Sequence, residues 1–310
     1  MTTITASMVK DLREKTGVGM MDCKKALNEN NGDVAAAIDW LRAKGLSKAA
    51  KKSDRIAAEG LIGVIASGKQ GATAEINAET DFVARNDQFQ DMVRKITSLV
   101  PEAGGDVAKI LAMTYPGKSD TVETVITENI ATIGENMSLR RAAVINVAEG
   151  VVADYVHNKV SDGLGKIGVL VGLQSAGDAD KLTAFGRQLA MHIAAVAPLA
   201  LTPEELDQEV VEKERAIYLE QAQASGKPQE IIEKMVEGRL RKEYFQQVVL
   251  MQQTFVVDGK ATVEQALKAF EKELGSPVKI TEFVRFALGE GIDKKDDDFA
   301  AEVAAAAGTA

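Results

Sequence analysis

Several stretches of the chain have residue types at spacings that could do chemistry. Gly163-Leu164-Gly165-Lys166-Ile167-Gly168 has the spacing of a dinucleotide-binding glycine loop. The run after it, Val169-Leu170-Val171, is strand-like, whereas a pyrophosphate loop needs its strand before and its helix N-terminus after. Pro116-Gly117-Lys118-Ser119 has the Gly-Lys-Ser end of a phosphate loop, but Ala112 stands where the first glycine belongs. The cradle of backbone N–H groups is then incomplete. His157 and His192 have no Ser or Cys nucleophile arranged beside them. His192, between Met191 and Ile193 in an apolar helical pattern, reads as a satisfied, half-buried residue. Cys23 falls at helical spacing between Met20 and Leu27 and reads as core packing. Asp296-Asp297-Asp298 suits the dipole of a helix N-terminus better than a calcium loop. No catalytic residues, cofactor site or metal site emerge, and the chain does not read as an enzyme.

The stretch that stands out is Asn77-Ala78-Glu79-Thr80-Asp81-Phe82-Val83-Ala84-Arg85-Asn86-Asp87-Gln88-Phe89. Behind it, Leu61–Ile65 and Gly71–Ile76 read as a hairpin turning at Ser67-Gly68-Lys69-Gln70. Ahead of it, Phe89, Met92, Val93 and Ile96 recur at helical spacing. Thr80-Asp81-Phe82-Val83 therefore lies at a strand-to-helix corner. Two readings stand: Thr80 or Asp81 caps the helix while Phe82 folds onto the core, or Asp81 and Phe82 project as a functional tip.

Composition narrows the functions. A chain of 310 residues, 45% hydrophobic and 27% charged, can bury sizeable cores and is long enough for more than one domain. No apolar run approaches membrane length. The start, Met1-Thr2-Thr3-Ile4-Thr5-Ala6-Ser7, has neither the basic flank nor the apolar block of a secretory signal, so the expected location is cytoplasmic. One cysteine and two histidines are too few for an ordinary structural zinc site. A net charge of −9 repels a polyanion, which disfavours direct nucleic-acid binding and favours protein recognition.

Along the chain, the pattern predicts three short helices first. One is capped by Thr5 or Ser7 and ends near Gly17; one is lined by Met20, Cys23 and Leu27; one is capped by Asp33, carries Val34, Ala37, Ile38 and Leu41, and stops at Gly45. A basic linker follows, with Lys48, Lys51, Lys52 and Arg55. The middle holds a diverged internal repeat. In the second copy a strand near Val151–Val156 and the run Gly165–Val171 lead into a helix with Phe185, Leu189, Ile193 and Val196. Two further helical patterns between Val107 and Glu135, and a strand at Leu139–Ile145, separate the copies. The second copy lacks the Asp-Phe corner, which favours a function at Asp81 and Phe82. Glu204–Ala224 and Gln229–Gln253 read as an antiparallel helical hairpin, with Leu206, Val210, Ile217 and Tyr218 facing Ile231, Ile232, Met235, Leu240 and Val248. It is either a projecting arm or a self-stabilising insertion. Thr262 and Gln265 form a capping-box pattern, and Glu282–Leu288 reads as a strand.

The opening Ile4-Thr5-Ala6-Ser7-Met8-Val9-Lys10-Asp11-Leu12-Arg13-Glu14-Lys15-Thr16-Gly17-Val18-Gly19-Met20-Met21-Asp22-Cys23-Lys24-Lys25-Ala26-Leu27, the tip Thr80-Asp81-Phe82-Val83 and the late Arg285-Phe286-Ala287-Leu288-Gly289-Glu290-Gly291 together strongly resemble bacterial translation elongation factor Ts, over nearly the whole chain and in the family's order. The resemblance implies an α+β fold with an N-terminal three-helix, ubiquitin-associated-like bundle and linker (1–54). A core of two related α+β subdomains with antiparallel sheets follows, at 55–138 and 139–288, the latter interrupted by the helical hairpin at 204–253, and then a short C-terminal helical module (289–310). It also implies a guanine-nucleotide exchange factor for elongation factor Tu, in its GDP-bound and nucleotide-free forms, with Thr80, Asp81, Phe82 and Val83 disturbing the magnesium site of that GTPase. Met20, Met21, His157, His192 and Phe299 are further candidate contacts. A homodimer stays open, and the alternative function is a non-catalytic adaptor or scaffold.

Overall fold

A computed structural model describes residues 4–44 and 52–293. Gly45, Lys48, Lys51, Asp296–Asp298 and Phe299, on which several expectations fell, lie outside the described residues. Helix α1 (Ala6–Thr16) starts where the Thr5 hydroxyl accepts the Met8 N–H and ends at Gly17, whose φ of 63° is the left-handed stop that glycine supplies without strain. Helices α2 (Met20–Glu29) and α3 (Val34–Ala43, capped by Asp33) complete the bundle. Leu12, Cys23, Ala26, Leu27, Ala37 and Leu41 form its core. Met20 departs from the expected lining position and is exposed, because Val18, in the connection from α1, fills that end of the core.

Strands β1 (Glu59–Ser67) and β2 (Gln70–Ala78) pair in register from Glu59↔Ala78 to Ser67↔Gln70 around a turn at Gly68 and Lys69. Helices α4 (Asp87–Ala103), α5 (Val107–Ala112) and α6 (Val122–Ile133) follow. Strand β3 (Met137–Asn146) then returns to pair with β2. The boundary expected at 138/139 thus falls inside β3: the outer edge of β2 needs a partner, and β3 supplies it. The second half repeats the plan. Strands β4 (Gly150–His157) and β6 (Ile167–Gln174) form its hairpin, with the short β5 (Leu164–Gly165) between them in sequence. Helix α7 (Ala179–Val196) follows. The apparent glycine loop is strand β5 and the start of β6, not a nucleotide cradle.

Within the helical insertion, α8 (Gln208–Gln223) and α9 (Gln229–Arg239) lie side by side. The second helix does not run unbroken to Gln253: a π-helical stretch, Leu240–Phe245, follows α9 and leads into α10 (Gln246–Val248). The wider turn keeps Tyr244 and Phe245 against both small cores of the hairpin. The seam is built by Ala222, Ile232, Val236 and Leu240, and Val211 packs at the base with Ala200, Leu206 and Val249, whereas the expected Val210, Ile217 and Ile231 are exposed. The two ends of the hairpin meet at a parallel bridge between Ala200 and Val249. Helix α11 (Val263–Leu274) opens with the expected capping box of Thr262 and Gln265, and β7 (Lys279–Ala287) returns to pair with β6.

The sheets have orders β3-β2-β1-β5 and β4-β6-β7, all antiparallel. The repeat extends to detail. Gly60 and Gly150 both open their hairpins at positive φ (118° and 108°), and bulges recur at Glu75/Ile76 and Gly172/Leu173. The sheets pack face to face on Ile62, Val64, Ile145, Val147, Val152 and Leu170. Gly71 and Gly168 lie in that interface, where a Cβ would run into Val152 and Leu170 or into Ile62 and Val64. Helices α4 and α7 cover the outer faces, burying Phe89, Met92, Val93 and Ile96 in one core and Leu182, Leu189 and Ile193 in the other.

Buried Glu75 ties the end of the chain to the first sheet. Its carboxylate accepts from Arg140, Arg141, Asn77 and the Gly289 N–H, while Glu290 pairs with Arg141 and Arg285. This gives the Arg285–Gly291 motif a structural role. Gly289 sits at φ 71° with its Cα against the Ala58 carbonyl, a place closed to any side chain.

Candidate partner-binding surface

The connection from β2 to α4 runs from Glu79 to Asn86 and is pinned at both ends. On the β2 side, the Glu135 carboxylate accepts the Thr80 N–H at 2.9 Å and the Thr80 hydroxyl at 2.7 Å. Glu79 accepts the Asn136 N–H and pairs with Arg55 at 3.3 Å. On the α4 side, Val83 and Ala84 are buried in the first core, and Val83–Arg85 form a single 3₁₀ turn. The N–H groups of Ala84, Arg85 and Asn86 donate to the carbonyls of Asp81, Phe82 and Val83. Asn86, not Thr80 or Asp81, caps α4 by accepting the Phe89 N–H.

Between these anchors Phe82 stands 75% exposed and Asp81 is exposed beside it. Among the described residues, no group donates to or pairs with the Asp81 carboxylate. A large ring and a free carboxylate are thus displayed on backbone that is already ordered, so contact with a partner requires little further loss of conformational freedom. The four expected tip residues divide into two roles: Asp81 and Phe82 project, while Thr80 and Val83 hold them. Sequence reading missed Glu135, Glu79 and Arg55, which lie far from the tip in sequence or carry no motif.

The remaining candidates fall elsewhere. Met20 and Met21 are exposed side by side at the start of α2. The bundle leans on α6, where Lys15 pairs with Asp120 and Glu128 and Arg42 pairs with Glu123. Burial lowers the pKa of Lys15, but those two carboxylates more than offset it, leaving the group above its ordinary value. The Cys23 thiol is pushed up by burial, which suits a packing residue and not a nucleophile. His157 ends β4, exposed, with its Nδ1 3.1 Å from the Tyr155 hydroxyl. His192 cannot serve as a contact: it is fully buried. Its Nδ1 accepts the Val256 N–H at 3.3 Å, so its Nε2 carries the proton and donates to Gln253 Oε1 at 3.0 Å. Burial lowers its pKa.

Comparison with known proteins gives this geometry a context. The model of the family described as elongation factor TS matches residues 79–290, from the tip to the Glu290 network. Proteins named elongation factor Ts match along 99% of this chain and 99% of their own length. The one from Parvibaculum lavamentivorans is 60% identical over 307 residues, and one from Rhizobium etli is 59% identical over 306. A counterpart from Bartonella tribocorum is 58% identical over 303 residues, with 98% of each chain covered. An α+β chain with these relatives is a translation elongation factor. Within that class it belongs to the elongation factor Ts family. Among the described residues, no helix is long and apolar enough to cross a membrane.

Proposed function

We propose that this chain is a cytoplasmic guanine-nucleotide exchange factor for elongation factor Tu, acting by contact and without covalent chemistry of its own. The observation that carries the reading is the anchored tip with an exposed Phe82 and an unpartnered Asp81 carboxylate. A GTPase holds GDP through a phosphate cradle and a magnesium ion. An exchange factor must bind best where those contacts are loosened, and by reciprocity nucleotide and factor then weaken each other's binding.

In this reading Phe82 enters an apolar pocket of the GTPase and Asp81 perturbs polar contacts around the magnesium ion. Burying the Phe82 ring contributes about 1.5–3 kcal/mol, or about one to two decades of affinity. Further contacts must add to that, and Met20 and Met21 on the bundle and His157 on β4 are exposed enough to make them. The test is release of labelled GDP from elongation factor Tu. Phe82→Ala should slow stimulated release by about 10- to 100-fold, on the same burial estimate, with little change in melting temperature. Unaltered stimulation by Phe82→Ala would remove the tip from the mechanism, and no stimulation by the unsubstituted chain would point instead to an adaptor that binds without loosening nucleotide.

A further inference from the structure

Gln90 is a buried polar residue on α4, one position past the core residue Phe89. Its amide donates to the Ala84 carbonyl, inside the 3₁₀ turn that carries Phe82, at 3.0 Å. Its own carbonyl accepts the Ser161 hydroxyl at 2.8 Å, and Arg94 donates to the Ser161 oxygen at 2.7 Å and more weakly to Gln90 at 3.4 Å. Ser161 belongs to the other half of the molecule, in the loop that leaves β4 at His157 and returns through β5.

That loop is itself hydrogen-bonded, internally and to the first sheet. The N–H groups of Val160 and Leu164 bond to the carbonyls of Leu164 and Ser161, Lys159 pairs with Asp162 at 2.7 Å, and the Gly163 carbonyl accepts the Val64 N–H of β1. Its outer side displays Val160 and, at its start, His157. The chain of bonds Ala84–Gln90–Ser161 therefore connects two exposed features that come from different halves of the repeat. A helix-core position filled by an apolar residue would serve packing equally well but would leave the Ala84 carbonyl and the Ser161 hydroxyl without this link.

We propose that Gln90 is a positioning residue that locks the Phe82 tip to the Asn158–Gly163 loop, so that the two halves meet the GTPase as one preformed surface. The proposal rests on the tip acting in nucleotide exchange. Its test uses full-length chains carrying Ser161→Ala, Gln90→Leu, Phe82→Ala and the pairwise combinations with Phe82→Ala. Stimulated GDP release from elongation factor Tu is measured together with amide hydrogen exchange of the free protein. Loss of one or two such hydrogen bonds should slow release about 2- to 10-fold in Ser161→Ala. Gln90→Leu should slow it at least as much, and neither change should slow it further once Phe82 is alanine. The protection of the Ala84, Arg85 and Asn86 amides should fall in both variants. The same slowing factor in the Phe82→Ala background, or no slowing in either variant, would overturn the link. If Phe82→Ala itself leaves stimulated release unchanged, the role of the tip in exchange fails instead, and the link is then judged on amide protection, which it requires to fall. Should Gln90→Leu fail to fold, Ser161→Ala carries the test alone.

Discussion

The two strand-to-helix corners of the repeat are built on the same frame and do different things. In the second half β6 passes to α7 through Ser175–Asp178. The Ser175 hydroxyl accepts the Gly177 N–H, Asp178 caps the helix by accepting the Lys181 N–H, and no large side chain projects. In the first half β2 passes to α4 through the longer Glu79–Asn86, which adds a 3₁₀ turn and an outward Phe82. Both corners satisfy the helix cap, so capping alone does not explain the extra residues. Phe82 adds little to the core, and the hydrogen-bonded 3₁₀ turn after it holds its ring outward, so what the first corner adds faces solvent.

The halves also differ at their bulges, and the largest expected effect tests that difference. The extra residues are Arg140 in β3 and Thr281 in β7, and the residues facing these bulges differ: Glu75 in β2 and Gly172 in β6. In the first half a buried carboxylate gathers Arg140, Arg141 and the Gly289 N–H; in the second, close packing suffices, since a Cβ on Gly172 would meet Thr281. Removing one partner from a buried ionic network strands the others, so Glu75→Ala should lower unfolding free energy by about 3–5 kcal/mol. Urea denaturation checks this. A loss below about 1 kcal/mol would mean that the two halves are held by packing alike.

A smaller effect sharpens the contrast between the corners. Glu135 holds Thr80 through both carboxylate oxygens, and among the described residues the second corner has no such tether to a distant acid. Glu135→Ala should leave Phe82 exposed but less ordered. On the ordering cost of a side chain or two, about 0.5–1.5 kcal/mol each, stimulated GDP release should fall about 2- to 10-fold. The check is to compare GDP release with the melting temperature, which should drop only slightly. A variant with full activity would show that the tip needs no anchoring.

Much of this frame is legible in the sequence because it rests on local rules. The turn at Gly68, the caps at Thr5 and Asp33 and the capping box at Thr262 each follow from residue type and short spacing. What could not be read depends on phase and on distant partners. Periodicity marks Val210 and Val211 as one apolar stretch of α8 but does not say which is buried, and the π-helical stretch from Leu240 resets the phase again. Met20 lies at the right spacing for the bundle core yet is displaced by Val18 from a neighbouring connection. The tip residues were visible as a pattern. Their division into projecting and anchoring roles depends on Glu135, which is close only in the fold.

The smallest effect concerns a buried polar residue in each covering helix. Gln90 in α4 is turned toward the tip, whereas His192 in α7 is turned inward to Gln253 and Val256, where the chain returns from the helical hairpin. The inward role predicts a pH signature. Burial holds the folded His192 pKa below its ordinary value of about 6.5. The stability contributed by the neutral ring is therefore complete above that pH. As the pH falls through 6.5, the unfolded chain takes up a proton that the folded chain refuses, and this stability is lost progressively until the lower folded pKa is reached. Urea unfolding from pH 7.5 to 5 should show the stability of the wild-type chain falling more steeply than that of His192→Gln. The difference in slope is bounded by one proton, about 1.4 kcal/mol per pH unit. Parallel profiles for the two chains would mean that His192 accepts a proton as readily folded as unfolded, and that its bonds to Val256 and Gln253 do not fix it in the neutral form.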